Sequence, residues 1–287
     1  MYNFKKYILF KILLSFLLSN GSYQGLLLPI NSYMLLNSSD SYFFVKSKIL
    51  KNDKYPKISS NLILLPQDIN ISSFNYSYNL SNAYLESNFT IIDYGDFIDS
   101  ESEYKFSSKD LIFSNKVLFK INRDLYSSSK LRYINTNIDI YDAHALTIDL
   151  NLYYQFNDLI LTGFIKNYGF VINDYTSYEE DLPQSHGFNL NYKPKNLNSI
   201  LSIYYQSFDS YSEFNIYNEI FFKNSSIGLG YSSIATGLYE GDFNYDFFTG
   251  LSLGFSTYYN NFLLNIGVKN LGSAGLVNSI SLIKLVN

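Results

Sequence analysis

The chain contains no cysteine and no tryptophan, and only two histidines, two methionines and five prolines in 287 residues. Without cysteine there is no disulfide, no thiolate-held zinc or iron–sulfur cluster and no thiol nucleophile. The two histidines, His144 and His186, leave little for a metal site or a general base. Charge is sparse as well, at 16% of residues, and a net charge of -4 gives no electrostatic footprint for nucleic acid. What is abundant is aromatic: 29 Tyr and 24 Phe make 18% of the chain. That wealth fits neither a disordered chain nor a typical cytosolic enzyme. Part of it follows the Asn, Ser, Ile and Lys bias of an AT-rich genome, so the order of the residues has to decide the class.

The first residues read as a targeting segment. Lys5, Lys6 and Lys11 precede the apolar run from Ile12 to Leu18, and small and polar residues follow it at Ser19–Ser22. This is the layout of a secretory signal peptide, here residues 1–23, with the cut expected between Ser22 and Gln24. No later run reaches the ~18 consecutive apolar residues of a membrane-spanning helix.

From about residue 70 onward the hydropathy alternates with period 2. Ile148, Leu150, Leu152, Tyr154 and Phe156 share one face; Thr147, Asp149, Asn151, Tyr153 and Gln155 share the other. The same alternation returns over 226–232 and 262–269. Turn material such as Asn122–Asp124, Asn157-Asp158 and Asn260-Asn261 separates the runs. The runs are roughly 8–12 residues long, which suits a tilted strand across a bilayer better than the shorter strands of a soluble sandwich. Adjacent aromatics near strand ends (Tyr153-Tyr154, Tyr204-Tyr205, Phe221-Phe222, Tyr258-Tyr259) suggest girdles at the two membrane interfaces. The pattern predicts an all-β fold: an antiparallel transmembrane β-barrel of about 14 strands, in a range of 12–14, over residues 61–287. A secreted sandwich or propeller is the competing fold. Residues 24–60 fit neither signal nor strand and are expected as a lead-in, periplasmic or plug-like.

Three acidic stretches interrupt the alternation and are expected as the longer, outer loops: Asp93–Ser108, Ile172–Gln184 and Ala235–Asp246. Catalytic chemistry finds little support. Asp142 and His144 fall on one face of a strand, but no serine motif accompanies them. Gly228-Leu-Gly230 and Gly250–Gly254 lack the following helix of a phosphate loop and point instead to close packing or bends in a wall. The reading is non-enzymatic, with no cofactor and no metal. Glu86, Lys116, Lys120, Arg132, Asp149 and Glu219 carry both signs of charge at phases that suit the lumen face, where they could pair and plug it.

Several motifs resemble the PorV/PorQ family, barrels of the FadL type. These are Gln24–Pro29 after the signal, Ile91–Phe97 followed by Glu101 and Phe106-Ser107, and Phe164–Gly169 with Glu179–Pro183 downstream. Gly267–Gly272 repeats the Lys-Asn-x-Gly ending, as if two hairpins were built alike. The family's Asn-Pro-Ala-like segment is not evident, and Leu282–Asn287 lacks a terminal aromatic. The resemblance implies a place in the outer membrane of a Gram-negative bacterium, in contact with outer-membrane lipid. It also implies a part in type IX protein secretion or surface attachment, with partner proteins of that machinery bound at loop residues Tyr94, Asp96, Glu101, Glu179, Glu180, Asp181 and Pro183. A FadL-like transport barrel for hydrophobic or small polar solutes is the alternative.

Overall fold

A strand that is apolar on one face and small or polar on the other, repeated along the chain, can satisfy both lipid and its own backbone only when the sheet closes into a ring. The computed structural model describes residues 23–49, 55–80, 83–98, 104–175, 181–233 and 248–286. Its strands are β1 (Tyr55–Leu64), β2 (Asn70–Asn79), β3 (Ala83–Ile98), β4 (Lys105–Lys120) and β5 (Leu125–Ile138). Then come β6 (Tyr141–Phe156), β7 (Leu159–Asn173), β8 (Ser185–Tyr192), β9 (Ser199–Phe208) and β10 (Ser212–Phe221). β11 (Ser225–Ser232), β12 (Leu251–Tyr259), β13 (Phe262–Asn270) and β14 (Leu276–Val286) complete the set. Each strand pairs antiparallel with its neighbours in sequence, and β1 closes on β14. The result is the closed, all-antiparallel 14-stranded barrel that the sequence predicts. β1 starts at Tyr55, ahead of the boundary at residue 61 suggested by the hydropathy pattern.

The alternation settles which face is which. In β6, Thr147, Asp149, Asn151 and Tyr153 are buried in the lumen, while Ile148, Leu150, Leu152 and Tyr154 stand exposed on the outer wall. The expected aromatic girdles are only half built. Tyr154 and Phe222 face outward, but their neighbours Tyr153 and Phe221 turn into the lumen, as Tyr204 and Tyr258 do. Adjacent residues of a strand point to opposite faces, so a doublet contributes one ring to each.

The two ends of the barrel differ. One carries short turns, with Asn157 (φ 53°) and Asn260 (φ 52°) in the left-handed region that two-residue hairpins require. The other carries the longer connections. The first expected loop, Asp93–Ser108, is instead mostly strand: β3 runs to Ile98, β4 starts at Lys105, and Phe97 stacks on Phe106 with centroids 5.3 Å apart. At 16 residues each, both strands exceed the ~9–11 needed to cross a bilayer and so stand out beyond it. The second expected loop falls between β7 and β8, with 176–180 outside the described residues, and the third, Ala235–Asp246, lies wholly outside them.

Candidate functional site: a filled lumen

The lumen is occupied by the chain's own residues 23–49. A 3-10 turn (Gln24–Leu27) leads into helix α1 (Ser32–Asn37), and helix α2 (Tyr42–Ile49) follows. Asn31 starts α1 by accepting a hydrogen bond from the Met34 amide at 2.9 Å, the ordinary service of an N-cap side chain. Ser38 ends the helix in the left-handed conformation, φ 60°. The segment runs the length of the barrel. Tyr23 donates to the carbonyls of His144 and Asn173 at the long-loop end. Phe44 packs edge-on against Tyr126 and Tyr153 near the short turns.

Two apolar clusters grip it. At the long-loop end Tyr23, Leu26 and Leu35 pack with Ile63, Ile71, Ile92, Ile112 and Ile134. At the other end Tyr33, Leu36, Tyr42 and Val45 pack with Tyr153, Tyr217, Ile283 and Leu285. α1 can lie this close because the wall beneath it carries glycines among short polar residues such as Ser252 and Ser281. A Cβ on Gly254 would come 2.4 Å from Leu36 Cδ1, and one on Gly230 would come 2.9 Å from the Leu36 carbonyl. The glycine runs thus mark close packing, as the sequence suggests.

Between the clusters the contacts are polar. Lys46 meets Glu219 at 2.6 Å, and Tyr42 donates to the same carboxylate at 2.8 Å. Ser38 donates to Glu213 at 2.6 Å. Lys116 donates to Ser41 at 2.9 Å, and Ser41 shares a hydrogen bond with Tyr153 at 2.7 Å. Asp40 faces Lys130 at 3.7 Å. Burial by itself would raise the Asp40 carboxyl, but Lys166, Lys116, Lys130 and Arg132 together outweigh it and hold that group well below the usual carboxylate range. On the wall itself Arg132 binds Asp149 and Asn167. Of the six charged residues expected on the lumen face, Lys116, Arg132, Asp149 and Glu219 are buried there and Glu86 lines a small polar cavity beside the plug; Lys120 lies exposed at the strand end.

The expected loop residues are not gathered in one place. Tyr94 keeps the inward phase of Thr90 and Ile92 and donates to Asp110 at 2.8 Å in the lumen, at the start of a bulge in β3 that has Gly95 at φ 81°. Asp96 beyond the bulge is exposed, and Asp181 is exposed at the start of the β8 lead-in. Pro183 is half-buried, its carbonyl accepting from Asn167 at 2.7 Å, and Leu182 between them joins the upper apolar cluster. Glu101, Glu179 and Glu180 lie outside the described residues. The two Lys-Asn-x-Gly motifs are not alike: the first is a mid-strand bulge in β7 with Asn167 at φ 61°, the second runs from the end of β13 into its turn, with Gly272 at φ 64°. His144 sits on the outer wall, between Asp142 at 2.7 Å and Tyr133 at 2.8 Å, away from the lumen. Sequence reasoning missed Asp40, Lys46, Lys130 and Lys166, though the last two share the inward phase of Arg132 and Phe164 in their own strands.

A closed barrel with an apolar exterior and a lumen filled by its own N-terminal segment is a plugged barrel of the bacterial outer-membrane type. Solved structures agree on that fold. The monoaromatic hydrocarbon channel CymD superposes with a TM-score of 0.58 at 10% identity, covering 93% of this chain and 98% of that one. The Pseudomonas putida toluene transporter TodX superposes with a TM-score of 0.51 at 8% identity, covering 92% and 96%. A TodX deltaS2S3 mutant gives 0.52 at 9%, covering 79% and 88%. No protein-family model and no curated protein matches the sequence. These structures share the barrel fold with this chain, while the resemblance to PorV/PorQ rests on the short sequence motifs alone.

Proposed function

We propose that this protein is a transport barrel of the bacterial outer membrane, passing small polar solutes through a lumen that residues 23–49 hold closed. The observation that carries this reading is how the plug is held. Its contacts with the wall are side-chain hydrogen bonds, ion pairs and packing, and among the described residues no strand ladder joins it to the barrel. Such a segment can leave without unpicking the wall. The hydrocarbon channels with the same fold supply the precedent for transport; the lining here favours polar cargo. Ser59, Asn61, Asn88, Thr90, Asn189 and Asn215 all turn buried polar groups inward. Partner binding in type IX secretion or attachment is the weaker reading, because Tyr94 and Pro183, two of the residues expected to carry it, are committed to contacts within the barrel.

Reconstitution into liposomes tests the reading. Swelling in arabinose should be slow for the natural chain. It should rise several-fold when the plug is loosened by Glu219→Ala, which leaves the plug's Lys46 buried, charged and without its partner. Correctly folded protein of both kinds that admits no sugar would overturn it.

A further inference from the structure

Four cations lie in the lumen within one four-strand stretch of wall, β4 to β7: Lys116 on β4, Lys130 and Arg132 on β5, and Lys166 on β7, each no more than 7% exposed. The wall offers them two carboxylates, Asp149 beside Arg132 and Glu86 across from Lys116 in the β3–β4 register. Lys116 and Lys130 are themselves direct cross-strand partners. Like charges placed opposite one another destabilise a sheet, and more so out of water. The ammonium groups are also short of acceptors. Lys116 has the hydroxyl of Ser41 at 2.9 Å and Lys166 that of Tyr204 at 3.1 Å. Lys130 has, among the described residues, only Asp40 at 3.7 Å, and the buried Arg132 Nε has no partner.

A buried excess of cationic donors is what a site for an anion needs, and the group that answers it here comes from the plug. Asp40 is a carboxylate on a releasable segment, placed within reach of a wall that is left with four cations and two carboxylates when it departs. We propose that this face is a binding site for small organic carboxylates, with the Asp40 side chain occupying it while the lumen is closed. The proposal rests on the transport reading for its purpose, since a solute carboxylate that replaces Asp40 favours the open lumen by its preference for that state. As a binding site it stands or falls separately. The nearby aromatic rings, Tyr153, Phe164 and Tyr204, bound the site with apolar surface and suit a short carbon skeleton.

Equilibrium dialysis of radiolabelled succinate against the full-length protein in detergent tests it, with uncharged succinamide as control. Asp40→Asn removes the internal competitor and keeps its shape. This variant should bind succinate at least tenfold more tightly than the natural chain, and adding Lys130→Gln should take most of that gain away. Equal or weaker binding by Asp40→Asn, or equal binding of succinamide, overturns the proposal. Should Asp40→Asn fail to assemble, the buried Ser39 can be replaced by Cys in the otherwise natural chain. Succinate should then speed maleimide labelling of that plug residue, and an unchanged rate again overturns the site. Arabinose swelling reports on transport independently: sugar entry without succinate binding removes the site alone, and succinate binding without sugar entry removes the transport reading alone.

Discussion

Lys46 of the lumen helix and Glu219 of β10 form an ion pair of 2.6 Å with side chains 4% and 1% exposed, the most deeply buried charge contact between plug and wall. Burial lowers the affinity of an isolated lysine for its proton, yet Glu219 outweighs that here and holds Lys46 above the ordinary lysine range. Removing one partner leaves the other charged and without water. Glu219→Ala or Lys46→Ala should therefore cost about 3–5 kcal/mol, and the double change to Met should cost less than either single change. Thermal melting followed by circular dichroism in detergent checks the order of the three.

The depressed Asp40 carboxyl gives plug docking a pH dependence of known sign. A group whose docked value lies below its free value contributes fully above the free range and loses that contribution as pH falls. Docking should be flat from about pH 5 upward and weaken below about pH 4, the ordinary range of a free aspartate. Maleimide labelling or protease cleavage of the 23–49 segment against pH reads this out. The acid-side change should shrink in Asp40→Asn, leaving the part that comes from other carboxylates.

Two glycines should separate plug from wall. A Cβ at Gly254 meets only the end of the Leu36 side chain, whereas one at Gly187 meets the Tyr205 carbonyl at 2.1 Å. Gly254→Ala should push Leu36 aside, loosen the plug and leave an intact barrel. Gly187→Ala drives a methyl group into the β9 backbone at Tyr205 and should cost about 1–3 kcal/mol or block assembly. Heat-modifiable gel mobility distinguishes folded from unfolded barrel in each case.

The outer face makes its own prediction. Leu150 stands on the exterior of β6 between the inward Asp149 and Asn151. Leu150→Arg should destabilise the barrel by about 2–4 kcal/mol in a bilayer, the cost of a cation near the midplane. Asn151→Ser, one residue on, faces the lumen and should cost under about 1 kcal/mol. Equilibrium refolding into lipid vesicles measures both.

Strand number, closure and the phase of each face were legible because a period of 2 is written residue by residue, as at Thr147–Phe156. Turns were legible wherever Asn supplied a left-handed residue, as at Asn157 and Asn260. The hairpin over Asp93–Ser108 was not, because its polar residues look like loop although they pair, Asp93 opposite Lys109 and Phe97 opposite Phe106. The bulges at Gly95 and Asn167 were hidden for a related reason. One extra residue shifts the phase without changing the composition, so Asn167 turns inward directly after the inward Lys166. Tyr94 keeps the phase of Ile92 and was lost with the rest of the polar hairpin. The plug carried the weakest signal of all. α1 and α2 span 6 and 8 residues and are surrounded by wall on all sides, so no amphipathic stripe is required of them. Asp40 and Lys46 gain their meaning only from β5 and β10, far away along the chain.

The order of the plug in the sequence bears on how the molecule is made. Residues 23–49 are synthesised before any strand, but α1 rests on β10–β14, the last strands to emerge. Its landing surface does not exist until the wall is nearly complete, and the seam of β1 with β14 then shuts the lumen around it. The N-terminal segment and the last hairpins therefore complete one another across the whole length of the chain, α1 having no full resting surface without β10–β14.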